Sequence, residues 1–136
     1  KGIIFSGGPS SVYNSDAPVP ENKIFEMGLP LLGICYGAEI LALTLGGTIR
    51  KIESIQKDNE KIEILQNNLI ANNSLNVFES HAFEISKLPN MLTTIGKSNN
   101  CKYEIIQHKE KLIFGTQFHP EMSLDGNNLI EHFCSL

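Results

Sequence analysis

Apolar positions along this chain cluster into short dense runs, separated by polar turns. Gly2 to Phe5 is one such run, ending in Ser6-Gly7-Gly8-Pro9, and predicts a short buried strand closed by a turn. Ser10 to Pro20, rich in Ser, Asn, Asp and Pro, reads as a loop. Glu21 to Met27 reads as a short helix stopped by Gly28 and Pro30. Leu31-Leu32-Gly33-Ile34 is a second apolar strand. A helix-like pattern follows over Ala38 to Leu45 and is ended by Gly46-Gly47. Beyond it, strands are expected over Thr48–Ile52 and Lys61–Leu65, with two more short ones in Leu69–Phe78 across Asn72-Asn73. Leu88-Pro89-Asn90 marks a turn. Further strands are expected over Leu92–Ile95, Tyr103–His108 and Leu112–Phe118, and a closing helix over Asn127–Phe133 with Asp125-Gly126 at its entry. Apolar strands and helices in the first half, with β-rich sequence after, imply an α/β domain built on a mixed sheet.

Composition narrows the picture. With 136 residues, 41% hydrophobic and 19% charged, the chain fits one globular domain with one core. A net charge of −4 and no Lys/Arg cluster give no reason to expect nucleic acid as a partner. No apolar run approaches a membrane span and no signal peptide opens the chain. Cys35, Cys101 and Cys134 are odd in number and lack metal-ligand spacing, so a reduced, cytoplasmic setting is expected. A strand beginning at the first residues predicts an N-terminally truncated domain.

Three stretches carry candidate chemistry. In Gly33-Ile34-Cys35-Tyr36-Gly37 an apolar strand meets a glycine-flanked cysteine just before a helix, the layout of a nucleophile elbow. A thiol at a helix N-terminus faces a positive dipole end, which favours thiolate. The second stretch is Gly115-Thr116-Gln117-Phe118-His119-Pro120-Glu121. In an extended segment His119 and Glu121 point to one face, and Pro120 stiffens the link. Cys35 as nucleophile, His119 as base and Glu121 as orienter would complete a triad. In the third, Ser6-Gly7-Gly8-Pro9, a glycine turn can aim backbone N–H groups at an oxyanion; Gly8 and Tyr36 are the expected donors. His81 reads equally as loop structure or pocket wall. His108 and His132 read as surface or partly packed residues, Cys101 and Cys134 as inert thiols, and Lys57–Lys61 and Lys109–Lys111 as solvated faces or turns.

Taken together, these motifs resemble the class I (triad-type) glutamine amidotransferases. The Ser6–Tyr13 stretch, Cys35-Tyr36-Gly37, Glu79-Ser80-His81 ahead of Leu88-Pro89, and Lys109-Glu110 are most similar to the GMP-synthase branch. The resemblance runs from residue 1 to residue 136 as a single amidotransferase domain. It implies a three-layer, flavodoxin-like α/β fold on a mixed, mostly parallel sheet that lacks the family's opening strand–helix–strand portion. It also implies hydrolysis of the glutamine side-chain amide through a γ-glutamyl thioester, with ammonia passed to an ATP-pyrophosphatase synthetase domain or subunit, for GMP synthesis from XMP. The domain itself would need no cofactor; ATP and Mg2+ would belong to the synthetase. Gly7, Glu39, Ser80, His81 and Ala82 fall where the family binds glutamine. Two positions depart from the pattern: Glu39 stands where the family has Gln, and Phe83 where this branch has Asp. An ionised carboxylate lacks the donors of an amide. These departures leave two other readings open: another branch, such as the anthranilate synthase type, or a non-catalytic regulatory relative.

Overall fold

Strand β2 (Leu31–Ile34) shows how the layers arise. Its side chains alternate between two faces. Leu31 joins one apolar cluster with Ile40 and Leu41, while Leu32 and Ile34 join another with Leu129 and Phe133. The first set comes from helix α1 (Tyr36–Thr44) and the second from helix α2 (Leu124–Cys134). The helices therefore cover opposite faces of the sheet, giving the expected three layers. The computed structural model describes residues 1–8 and 11–136. Pro9 and Ser10, from the Ser6–Tyr13 motif, lie outside the described residues.

The remaining strands are β1 (Ile3–Phe5), β3 (Thr48–Ile64), β4 (Leu75–Lys87), β5 (Leu92–Lys97), β6 (Ile105–His108) and β7 (Ile113–Thr116). They form one seven-stranded sheet in the order β1-β2-β7-β6-β5-β3-β4. The sheet is mixed. It is not mostly parallel as expected: parallel pairing is confined to β1 with β2 and β2 with β7, and every other neighbour is antiparallel, because short connections without a crossover helix join β3 to β4, β5 to β6 and β6 to β7. Short 3-10 turns occupy Asn22–Glu26 and Pro120–Met122. Among the described residues no helix is long and apolar enough to cross a membrane.

Three local expectations need correction. The strands predicted over Thr48–Ile52 and Lys61–Leu65 are the two ends of one strand, β3, and the polar stretch between them is strand as well. It pairs with β4 to make a long, largely solvated ribbon, so Lys57–Lys61 is a strand face rather than a turn. Of the two strands predicted in Leu69–Phe78, the first does not form. There the Asn68 side chain takes the backbone's hydrogen bonds: Oδ1 accepts from Ile70 and Ala71 N–H at 2.9 and 2.7 Å, and Nδ2 donates to Ala71 O at 2.8 Å. Finally, α2 starts earlier than expected. Ser123 caps it by accepting from Gly126 N–H at 3.0 Å.

Candidate active site

Cys35 sits between the last residue of β2 and the first of α1, with φ 52° and ψ −105°. It is the only non-glycine residue with positive φ among the described residues. Such a backbone costs about 1–3 kcal/mol and persists only where its surroundings enforce it. The flanking glycines do this. A Cβ on Gly33 would lie 2.5 Å from the Gly37 carbonyl oxygen, and one on Gly37 would lie 2.2 Å from that of Phe5. Strand, elbow and helix thus approach too closely for any side chain, and the close fit holds the reactive corner in place.

His119 follows the end of β7, the neighbour of β2. Its N–H donates to Phe78 O at 2.9 Å, tying it to β4. The expected strand stops at Thr116, and the His119–Glu121 pairing comes instead from an extended His119 followed by the Pro120–Met122 turn. The outcome is still the predicted contact: His119 Nδ1 and Glu121 Oε1 are 2.7 Å apart. Cys35 and His119 meet around one atom. The Ser80 carbonyl oxygen lies 3.7 Å from Cys35 Sγ and 3.3 Å from His119 Nε2. Gly7 packs beside both; a Cβ there would be 3.0 Å from His119 Cε1 and 3.6 Å from Cys35 Cβ.

The sulfur opens into a cavity of about 210 Å³ lined by Gly8, Cys35, Tyr36, Glu39, Ile55, Ser80, His81, Ala82 and Phe83. Every residue predicted to bind substrate is in this wall except Gly7. An apolar cleft of about 430 Å³ adjoins it, sharing Gly8 and Tyr36. A larger, polar cavity of about 970 Å³ lies elsewhere, around residues 63–67, 72–74 and 97–99, and holds none of these groups.

Sequence reasoning missed two features of the site. Ile55 comes from a bulge in the ribbon, where β3 residues 52–55 face the single β4 residue Ala82. Nothing in its polar surroundings marks it. Gln117 belongs to the His-Pro-Glu stretch, where its residue type alone suggests no role. Its Nε2 donates to Glu39 Oε2 at 3.0 Å and lies 3.9 Å from Cys35 Sγ.

The electrostatics differ from expectation at the nucleophile. The thiol is pushed up to about 12, first by burial and then by the Glu39 carboxylate; the Tyr36 backbone N–H pulls the other way but does not prevail. The resting group is a neutral thiol rather than a thiolate. Glu39, 3% exposed on a helix with no solvent face through Ala42, is raised to about 7 by burial, against the Gln117 hydrogen bond and the nearby His81.

Comparison with known proteins bears on the family and the fold. The family model for class-I glutamine amidotransferases matches residues 1–134. The chain is 42% identical over 142 residues to the GMP synthase (glutamine-hydrolyzing) of Helicobacter pylori strain J99, covering 100% of the chain and 27% of the relative. It is 37% identical over 137 residues to that of Aquifex aeolicus, covering 97% and 27%. The chain therefore spans about a quarter of the length of these relatives. Among solved structures, a GMP synthase-type protein of Thermoplasma acidophilum superposes with TM-score 0.75 at 30% identity, covering 81% of this chain and 58% of that one. A glutamine amidotransferase of Methylobacillus flagellatus, at 21% identity and TM-score 0.72, covers 98% of this chain and 56% of that one and shares the fold.

Proposed function

This chain belongs to the class-I glutamine amidotransferase family, and from that footing we propose that it hydrolyses the side-chain amide of glutamine and delivers the ammonia to a GMP-forming synthetase. The observation that carries the reading is the convergence of Cys35 and His119 on one carbonyl at the mouth of an amino-acid-sized cavity.

The steps follow from the geometry. At rest the Ser80 carbonyl accepts from the Cys35 thiol. The same oxygen lies 3.3 Å from His119 Nε2, between the thiol and its base. Substrate must displace both contacts. His119 Nε2 then takes the thiol proton while Glu121 holds Nδ1–H, which fixes the tautomer. The sulfur attacks the amide carbon, and the oxyanion is received by the backbone N–H groups of Tyr36 and Gly8. His119 returns the proton to the leaving nitrogen, and ammonia departs from a γ-glutamyl thioester that water then cleaves. Glu39, Ser80, His81 and Ala82, with Gly7 behind them, hold the amino-acid end. ATP, Mg2+ and the XMP acceptor belong to the synthetase.

Labelling with a glutamine-derived electrophile tests the reading. Stoichiometric modification of Cys35, blocked by glutamine, is the expected result. Absence of labelling in a folded protein would favour the non-catalytic alternative that Glu39 and Phe83 keep in play.

A further inference from the structure

Behind the cavity wall lies a buried cluster that the mechanism does not use. His81, Glu79 and Glu104 are 7%, 0% and 0% exposed. His81 lines the cavity, and both its ring nitrogens face acceptors. Nδ1 is 2.8 Å from the Phe83 carbonyl oxygen, and Nε2 is 3.3 Å from Glu79 Oε2. A carbonyl only accepts, so Nδ1 carries a proton. Nε2 carries one too if Glu79 is ionised.

Glu104 decides the state of Glu79. With both groups as carboxylates, Glu79 Oε1 and both Glu104 oxygens are buried without a hydrogen-bond partner of ordinary geometry among the described residues. That arrangement is costly for every oxygen involved. The two carboxyl groups are within hydrogen-bonding reach of each other, and a single proton between them removes the conflict. The proton belongs on Glu104, which has no cation beside it among the described residues, while Glu79 has His81. We propose that Glu104, by sharing its proton with Glu79, holds His81 as an imidazolium in the wall of the cavity beside Cys35. His81, Glu79 and Glu104 then carry +1, −1 and 0, a neutral buried triple with its cationic end toward the substrate.

The titration tendencies agree. Burial and then the Glu79 hydrogen bond and charge raise Glu104. Burial alone would raise Glu79, but hydrogen bonds to His81 and Glu104 bring it below the usual carboxylate range. Burial alone would lower His81, but Glu79, the Phe83 carbonyl and Glu39 raise it. The other groups facing the triple are Glu39 from α1, His119 and Cys35 at the reactive corner, Glu60 from β3, and Ser98 and Cys101 ahead of β6.

The consequence for substrate rests on the glutamine reading, within which Glu79 and Glu104 are positioning residues. The cationic wall favours the carboxylate of an amino acid entering the cavity. The first test does not depend on activity. Nitrogen-15 NMR of the ring in the purified protein should show His81 doubly protonated at pH 8; a neutral ring there overturns the proposal. Glu79→Gln should turn the ring neutral and raise the glutamine KM about tenfold, with kcat changed less than about threefold. Glu104→Gln, whose amide N–H replaces the shared proton, should keep both the charge and the KM, whereas Glu104→Ala should lose both. An unchanged ring charge and KM in Glu104→Ala overturns the proposal. Should the alanine or Glu79→Gln protein not fold, the ring signal in wild type and Glu104→Gln still decides. A doubly protonated ring in a protein that hydrolyses no glutamine would uphold the triple and refute the substrate.

Discussion

The parallel corner and the antiparallel ribbon do different work. Around β1, β2, β7 and α1 the packing is so close that two glycines admit no Cβ, and the nucleophile is held in an otherwise disfavoured conformation. In the β3–β4 ribbon, long solvated strands are broken by a bulge, and the site receives side chains from one edge: Ile55, Ser80, His81, Ala82 and Phe83. In the proposed reaction the corner supplies the reacting atom and the ribbon the wall that receives substrate. The two positions that depart from the expected pattern fall one in each region, Phe83 on the ribbon and Glu39 on α1.

Variants can break this division or sharpen it. Cys35→Ala should abolish glutamine hydrolysis, by a factor on the order of 10⁴ or more in kcat, with an unchanged melting temperature. Retained turnover would remove Cys35 from the chemistry. Gly37→Ala should cost more than about 3 kcal/mol, read by denaturant titration, because the new methyl has no space against Phe5. A tolerated alanine would mean that the corner is softer than its packing indicates.

Glu39 belongs to the corner yet faces the wall, and its effect should depend on pH. Its folded value of about 7 exceeds the ordinary 4.5, so the native state binds this proton more tightly than the unfolded chain does. The cost to stability is therefore absent below about 4.5, grows with rising pH and is complete above about 7. Glu39→Gln should match wild type at pH 4 and exceed it at pH 8 by on the order of 2 kcal/mol. It should also lower the glutamine KM; a raised KM would assign the carboxylate a direct role in binding. Cys35→Gly should be inactive and more stable by about 1 kcal/mol, as backbone strain is relieved. The smallest effect is expected from Ile55→Ala. Stability should move by less than about 0.5 kcal/mol, as for other exposed sites, while the glutamine KM rises a few-fold. A large loss of stability instead would make the ribbon part of the core.

The same division explains what could be read from the sequence. The elbow is local: a strand, two glycines, a cysteine and a helix stand next to one another, so its geometry is legible in a dozen residues. The His119–Glu121 pairing is also local, although a 3-10 turn makes it rather than strand alternation. The ribbon is not legible because β3 between Ile52 and Lys61 is, apart from Ile55, polar on both faces, which erases the period-two signal. Asn68 hides in another way, replacing a predicted strand by a turn closed on its own side chain. The Glu79–Glu104 contact joins positions far apart in the chain, and neither residue signals the other before the sheet brings them together.

The Ser80 carbonyl has a consequence beyond catalysis. Peroxide and stray electrophiles react with thiolates, and an accessible thiolate is a standing liability. Here the sulfur is a buried neutral thiol, pushed up to about 12 and hydrogen-bonded to a backbone oxygen. Between turnovers the protein should therefore resist oxidation at Cys35. Chemical durability and readiness are separated in time, with the arrival of substrate as the event that exchanges one for the other.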